Sequence, residues 1–206
     1  IILQAFPKLE LLQLRCGGSN GYSNWRYFTP FKHNYLKVLI IETKELSRER
    51  VSQIFSLELP ALEHLELWLG NDNYDENTSI EHLTPIFSGE IFPNLYYLGI
   101  RSSENADEIA EGIARFCNTA ELPITDNLLI LDLSMGNLTE EGLGFLLQSS
   151  AISNLHTLDI SNNCVSEEFL EQVEQLSPPN YWLITNFQEE IIERGIGVSR
   201  YLALHE

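Results

Sequence analysis

The chain has 206 residues, 44% of them apolar, and a formal net charge of -18 at pH 7. A chain of this size can bury one continuous core. The charge excludes a nucleic-acid backbone or an anionic lipid surface as the main ligand, since both need a basic stripe. A basic protein partner suits the acidity, which also serves solubility by itself. No apolar run is long enough to span a bilayer, and no basic segment precedes a signal-like stretch. Cys16, Cys117 and Cys164 form no C-x-x-C pair, so neither a disulfide framework nor a zinc site is expected, and reduced thiols fit a cytoplasmic protein.

Residues 1–8 read as the tail of a helix that ends at Pro7. The first residue is Ile1 rather than Met, so the sequence is expected to be the C-terminal part of a longer protein. A first strand is expected around Leu11 to Arg15. CGGSNGYSNWRYFTPFKHN follows it with no helical period and predicts a long irregular loop, packed through some of Trp25, Tyr27, Phe28 and Phe31. A second strand, Val38 to Glu42, leads through Leu46 to Ser47 and a helix with Val51, Ile54 and Phe55 inward. After Leu67 a polar, acidic loop, WLGNDNYDENTS, precedes a short helix from about Ile80 to Phe87. After Ile100, RSSENADE precedes a helix from about Ala106 to Phe116.

Two later joints repeat the second one: Leu138 before Thr139, and Val165 before Ser166. At all three the hydroxyl can cap a helix, and Glu140, Glu141, Glu167 and Glu168 lie in first turns favoured by the dipole. Pro60, Pro93 and Pro123 each stand shortly before a strand, where a helix must have stopped. Pro178 and Pro179 end the last helix. YWLITNF then reads as one terminal strand, and the remainder has no frame.

These elements share one frame. Leu155 to Val165, LHTLDISNNCV, has the spacing L-x-x-L-x-L-x-x-N-x-L of a leucine-rich repeat: a short strand, then a tight turn whose Asn163 can bond buried backbone groups. The leading leucine recurs at 9, 36, 62, 95, 128 and 155, giving steps of 27, 26, 33, 33 and 27 by subtraction. The longer steps are insertions. The expected fold is therefore an α/β leucine-rich-repeat solenoid, a horseshoe with a concave parallel sheet and outer helices. Residues 1–176 form about six repeats and residues 177–206 a C-terminal cap of the same domain.

With helices of this length the chain resembles the ribonuclease-inhibitor-like branch of these repeats. More closely, it resembles a bacterial group that often carries an upstream WGR-type domain. The matching stretches are FPKLELLQLR, HNYLKVLIIE, YDENTSIEHLTPIFSG, FPNLYYLGI, LDLSMGNLTEEG, LDISNNCVSEE and SRYLALHE. The resemblance implies the fold and a bacterial origin, and no activity.

In such a horseshoe three rows face the concave surface: Leu11, Val38, His64, Tyr97, Ile130, Thr157; then Gln13, Ile40, Glu66, Gly99, Asp132, Asp159; then Arg15, Glu42, Trp68, Arg101, Ser134, Ser161. His64, Trp68, Tyr97 and Arg101 fall together at the middle, and Tyr, Trp and Arg are the side chains most enriched at binding hot spots. The expected site is a protein-binding patch of His64, Trp68, Tyr97 and Arg101 with Glu66, Arg15 and Asp132, bordered by the acidic residues Asp72, Asp75 and Glu76. Alanine at Trp68 and Arg101 is then expected to abolish binding and leave the melting temperature nearly unchanged. The competing reading is that Trp68 and Tyr97 pack beneath their own insertion loop.

Asp132 and Asp159 bring two carboxylates to one row, but no histidine or third ligand is in register, so bonds to backbone or to Ser134 and Ser161 are expected instead of acid–base chemistry. NDNYDEN lacks the glycine and terminal glutamate of a calcium loop. No histidine pairs at metal spacing, and Gly17-Gly18 and Gly195-x-Gly197 are turns. No catalytic residue, metal or cofactor is expected. The leading functional expectation is a non-enzymatic protein-interaction module. The alternative is a structural or regulatory spacer that positions an N-terminal domain.

Overall fold

A computed structural model describes residues 2–16, 30–44, 46–70, 79–119, 127–176 and 180–188. Seven strands form one sheet in sequence order: β1 Leu11–Cys16, β2 Val38–Thr43, β3 His64–Gly70, β4 Tyr97–Ser103, β5 Ile130–Asp132, β6 Thr157–Asp159 and β7 Trp182–Ile184. Every neighbouring pair is parallel. Each crossover must therefore carry the chain back, and helices do so from the second onward: α2 Arg48–Phe55, α3 Ile80–Phe87, α4 Ala106–Thr119, α5 Glu140–Leu147 and α6 Glu167–Leu176. A short helix, α1 Ile2–Ala5, precedes β1.

The register follows the leucine frame. Leu39, Leu65, Leu98, Leu131, Leu158 and Leu183 are successive partners across the sheet. One face is apolar and closed: the Leu39/Ile41, Leu65/Leu67, Leu98/Ile100, Leu131/Leu133 and Leu158/Ile160 pairs are each 2% exposed or less. Val51 and Ile54 of α2, Leu83 and Ile86 of α3, Ile109 and Ile113 of α4, and Leu143 and Leu146 of α5 join them in one core. The helices thus cover this face, and the period-two alternation turns the intervening residues to the other side.

The turn after the strand also repeats. Ser102, Met135, Asn162 and Phe187, each four residues past a partner leucine, have φ of 57°, 63°, 55° and 57°. Asn163, next in line, is fully buried. Its amide donates to the carbonyls of Leu133 and Ile160 at 2.9 Å, and its oxygen accepts the Leu138 N–H at 2.9 Å. Gln188 occupies the equivalent place after β7, donating to Ile160 and Thr185 carbonyls and accepting the Val165 N–H. The terminal YWLITNF stretch therefore adds one more in-register strand to the ladder.

Thr139 accepts the Glu141 N–H and Ser166 the Phe169 N–H, as their positions predict, whereas the Ser47 side chain makes no capping bond. The acidic first turns do more than face the dipole. Asp107 accepts both the N–H and the hydroxyl of Thr139, and Glu140 accepts the Ser166 N–H, so each helix start is tied to the next. The bond from Ser166 holds the Glu140 carboxyl below its usual range.

Phe31 is half-buried against the core. Trp25, Tyr27, Phe28 and Gly17-Gly18 of the irregular loop, Asp72, Asp75 and Glu76 of the acidic insertion, and residues 189–206 of the tail lie outside the described residues, as do the side chains of Cys16 and Cys117. Cys164 is buried. Among the described residues no helix is long and apolar enough to cross a membrane.

Candidate functional site

The open face of the sheet carries the three expected rows. Leu11, Val38, His64, Tyr97, Ile130 and Thr157 are register partners in turn, and β7 extends the row with Trp182. Gln13, Ile40, Glu66, Gly99, Asp132 and Asp159 form the second row. Arg15 pairs with Glu42, and Trp68 with Arg101, in the third.

His64, Glu66, Trp68, Tyr97, Arg101 and Asp132 do converge, and they bond chiefly to one another. Arg101 is the hub. Its Nη1 donates to Glu66 Oε1 at 3.0 Å, its Nε donates to Ser134 Oγ at 2.9 Å and lies 3.4 Å from Asp132 Oδ2, and its Nη2 lies 3.3 Å from Met135 Sδ. The guanidinium stands 4.8 Å from the centroid of the Trp68 ring, a cation–π arrangement. Trp68 Nε1 donates to Glu66 Oε1 at 2.5 Å, and the Tyr97 hydroxyl donates to Asp132 Oδ2 at 2.7 Å. His64 stacks on Tyr97 with centroids 3.8 Å apart and planes within 5°. Its Nε2 is 3.8 Å from Glu66 Oε2, too far for a hydrogen bond.

Gly99 makes this closeness sterically possible. A Cβ there would lie 3.1 Å from Glu66 Cγ and 3.2 Å from Tyr97 Cε1, so any larger residue would push the two apart. A lone glycine among bulky residues of the second row was the available signal for this approach.

The residues of the expected patch differ in exposure and position. Trp68 is 7% exposed, Glu66 8% and Asp132 5%. They form the floor of the site, and only His64, Tyr97 and Arg101 remain half-exposed above it. An alanine at Trp68 removes a buried ring and a bond to a buried carboxylate, so it cannot leave the melting temperature unchanged. Arg15 is exposed but stands apart from this centre, 2.5 Å from Glu42 Oε2, with Gln13 donating to the other Glu42 oxygen.

Burial alone would raise the Glu66 carboxyl, but His64, the Trp68 N–H and the Arg101 guanidinium more than reverse it and hold it at about 2. Burial raises the Tyr97 hydroxyl well above its ordinary value, and Asp132 adds to the effect. Burial would lower Arg101, yet Asp132 and Glu66 outweigh it and raise the guanidinium further. At neutral pH the site thus holds the Glu66 carboxylate, the Arg101 cation and a neutral Tyr97 phenol. Because the folded value of Glu66 is depressed, its contribution is present above the usual carboxylate value near 4.5 and is lost as pH falls toward about 2. Urea unfolding is expected to lose about 2 kcal/mol on this account between about pH 5.5 and 3. In Glu66→Gln that part of the fall disappears; an unchanged pH profile in the variant would contradict the assignment.

Asp132 and Asp159 each accept a backbone N–H, from Ser134 and Ser161 respectively, at 2.9 Å. Among the described residues no group of three or more His, Cys, Asp or Glu side chains could hold a metal ion.

These features define an α/β protein with an open, all-parallel sheet, one face packed under helices and the other carrying a polar–aromatic cluster. No protein-family model and no curated protein matches the sequence. Among solved structures it is similar to a Bacteroides fragilis protein determined by a structural genomics consortium, with 28% identity and a TM-score of 0.75. The match covers 92% of this chain and 50% of that one, so the chain spans half the length of its structural relative.

Proposed function

We propose that the chain is a leucine-rich-repeat horseshoe of the ribonuclease-inhibitor-like kind, bacterial and cytoplasmic, whose concave sheet face binds a protein partner without catalysing a reaction. The observation that carries this reading is the first row of the open face. It runs unbroken across seven strands and is apolar and exposed at both ends, with Leu11 at 53% and Trp182 at 72% exposure. Between those ends the Arg101 cluster fixes His64 and Tyr97 in place, and a pre-ordered surface spends little entropy on binding. In-register leucines and the recurring left-handed turn support the repeat assignment. Likeness to a Bacteroides fragilis protein supports the bacterial one. A net charge of -18 favours a basic partner. The spacer reading draws on the chain's covering half of that structural relative.

Affinity capture from bacterial lysate separates the two. A double variant, Leu11→Asp with Trp182→Ser, is expected to lose the proteins that wild type retains while melting within a few degrees of it. Phe145→Ser, on the exposed side of α5, should retain them. Capture that survives the double variant would remove the open face as the binding surface.

A further inference from the structure

Asp159 at the end of β6, with Ser161 two residues on, repeats one unit later the pair of Asp132 at the end of β5 and Ser134. Asp132 and Asp159 are register partners. In both pairs the serine N–H donates to the aspartate Oδ1 at 2.9 Å, which fixes the carboxylate beside the serine. The first pair holds a guanidinium: Arg101 Nε donates to Ser134 Oγ at 2.9 Å and stands 3.4 Å from Asp132 Oδ2.

That arginine comes from the preceding strand, two residues beyond the Gly99 partner of Asp132. For Asp159 the same count on the preceding strand arrives at Ser134, whose side chain is too short to cross. Among the described residues no basic side chain forms an ion pair with Asp159, although the carboxylates of Glu42, Glu66 and Asp132 each have an arginine. Ser161 is 7% exposed and its Oγ has no hydrogen-bond partner. A buried hydroxyl left unpaired is costly, and it can accept a hydrogen bond from a donor held beside Asp159. Trp182 partners Thr157, two residues before Asp159 on the same face, and offers a ring on which an arginine stem or guanidinium can lie.

We propose that Asp159 and Ser161 are a guanidinium-binding pair that takes an arginine side chain from a protein partner, the chain's own Arg101 site being the pattern for it. The inference rests on the reading of the open face as a binding surface and adds the chemical group it accepts. Arginine fits better than lysine, because its planar fork presents adjacent N–H donors to two acceptors at once.

The test is a titration of the full, 15N-labelled chain with N-acetyl-arginine amide and, separately, N-acetyl-lysine amide, followed by NMR. The Ser161 amide resonance should shift saturably with the arginine compound, at least about fivefold more tightly than with the lysine compound. The response should vanish in Asp159→Asn, which retains an oxygen for the Ser161 N–H, and weaken in Ser161→Ala, which serves if the first variant does not fold. A flat titration, equal responses to both compounds, or a response that persists in Asp159→Asn overturns the proposal. A response that appears only after Arg194 and Arg200 are both changed to alanine would give the pair to the chain's own C-terminal residues and overturn its assignment to a partner. A flat titration with capture still dependent on Leu11 and Trp182 overturns the arginine assignment alone; capture independent of them overturns the reading beneath it.

Discussion

Asn163→Ala is expected to destabilise the chain by about 3–5 kcal/mol, measured by urea unfolding at neutral pH. The side chain is fully buried and spans two units of the ladder, with the Leu133 and Ile160 carbonyls and the Leu138 N–H each at 2.9 Å. Truncation leaves these backbone groups in an apolar interior without water, and each such group costs about 1–3 kcal/mol. Gln188→Ala removes the same kind of bond at the half-buried end of the ladder, where water can replace it, and should cost clearly less. Equal losses at the two positions would contradict this account, as would a loss below about 1 kcal/mol at Asn163.

Arg101→Ala should be comparably damaging, at about 3–5 kcal/mol, the usual cost of removing one partner from a buried ion pair. Two carboxylates 10% and 7% exposed at the side chain, those of Glu66 and Asp132, would lose their cation together, and Trp68 would lose the guanidinium over its ring. Arg101→Lys restores charge without the fork that reaches Glu66, Ser134 and Met135 simultaneously, so it should recover only part of the loss. A double-mutant cycle of Arg101→Ala with Glu66→Gln checks the cause: the double variant should be less destabilised than the sum of the single ones. Additive losses would show that packing rather than charge sets the effect.

The leucine frame made strand positions and register readable in advance, because a strand buried on one face must repeat with period two and a slip by one residue would expose every core leucine. Helix positions followed from the joints at Thr139 and Ser166 and from proline placement. Burial on the open face was not readable. Rows give direction but no height, and Trp68 beside Arg101 looks the same in sequence whether the two reach outward or lie flat on each other. Similarly, the bonds from Asp107 of α4 to the start of α5 were not readable, because they require knowing how two helices pack. His33, within the stretch expected to be an irregular loop, is 3% exposed, with Nδ1 accepting the Leu36 N–H and Nε2 3.1 Å from the Phe6 carbonyl. Its spacing from Leu36 was the only hint.

Because strand order along the sheet is chain order, among the described residues no strand is hydrogen-bonded to one distant in sequence. Across the described sheet, disruption of one strand is therefore expected to reach the others through its immediate neighbours. Melting should begin as fraying from an extremity, with the interior, where the β3–β4 junction and the Arg101 hub lie, holding out longest. Such a molecule can be shortened at an end far more safely than it can be wounded in the middle.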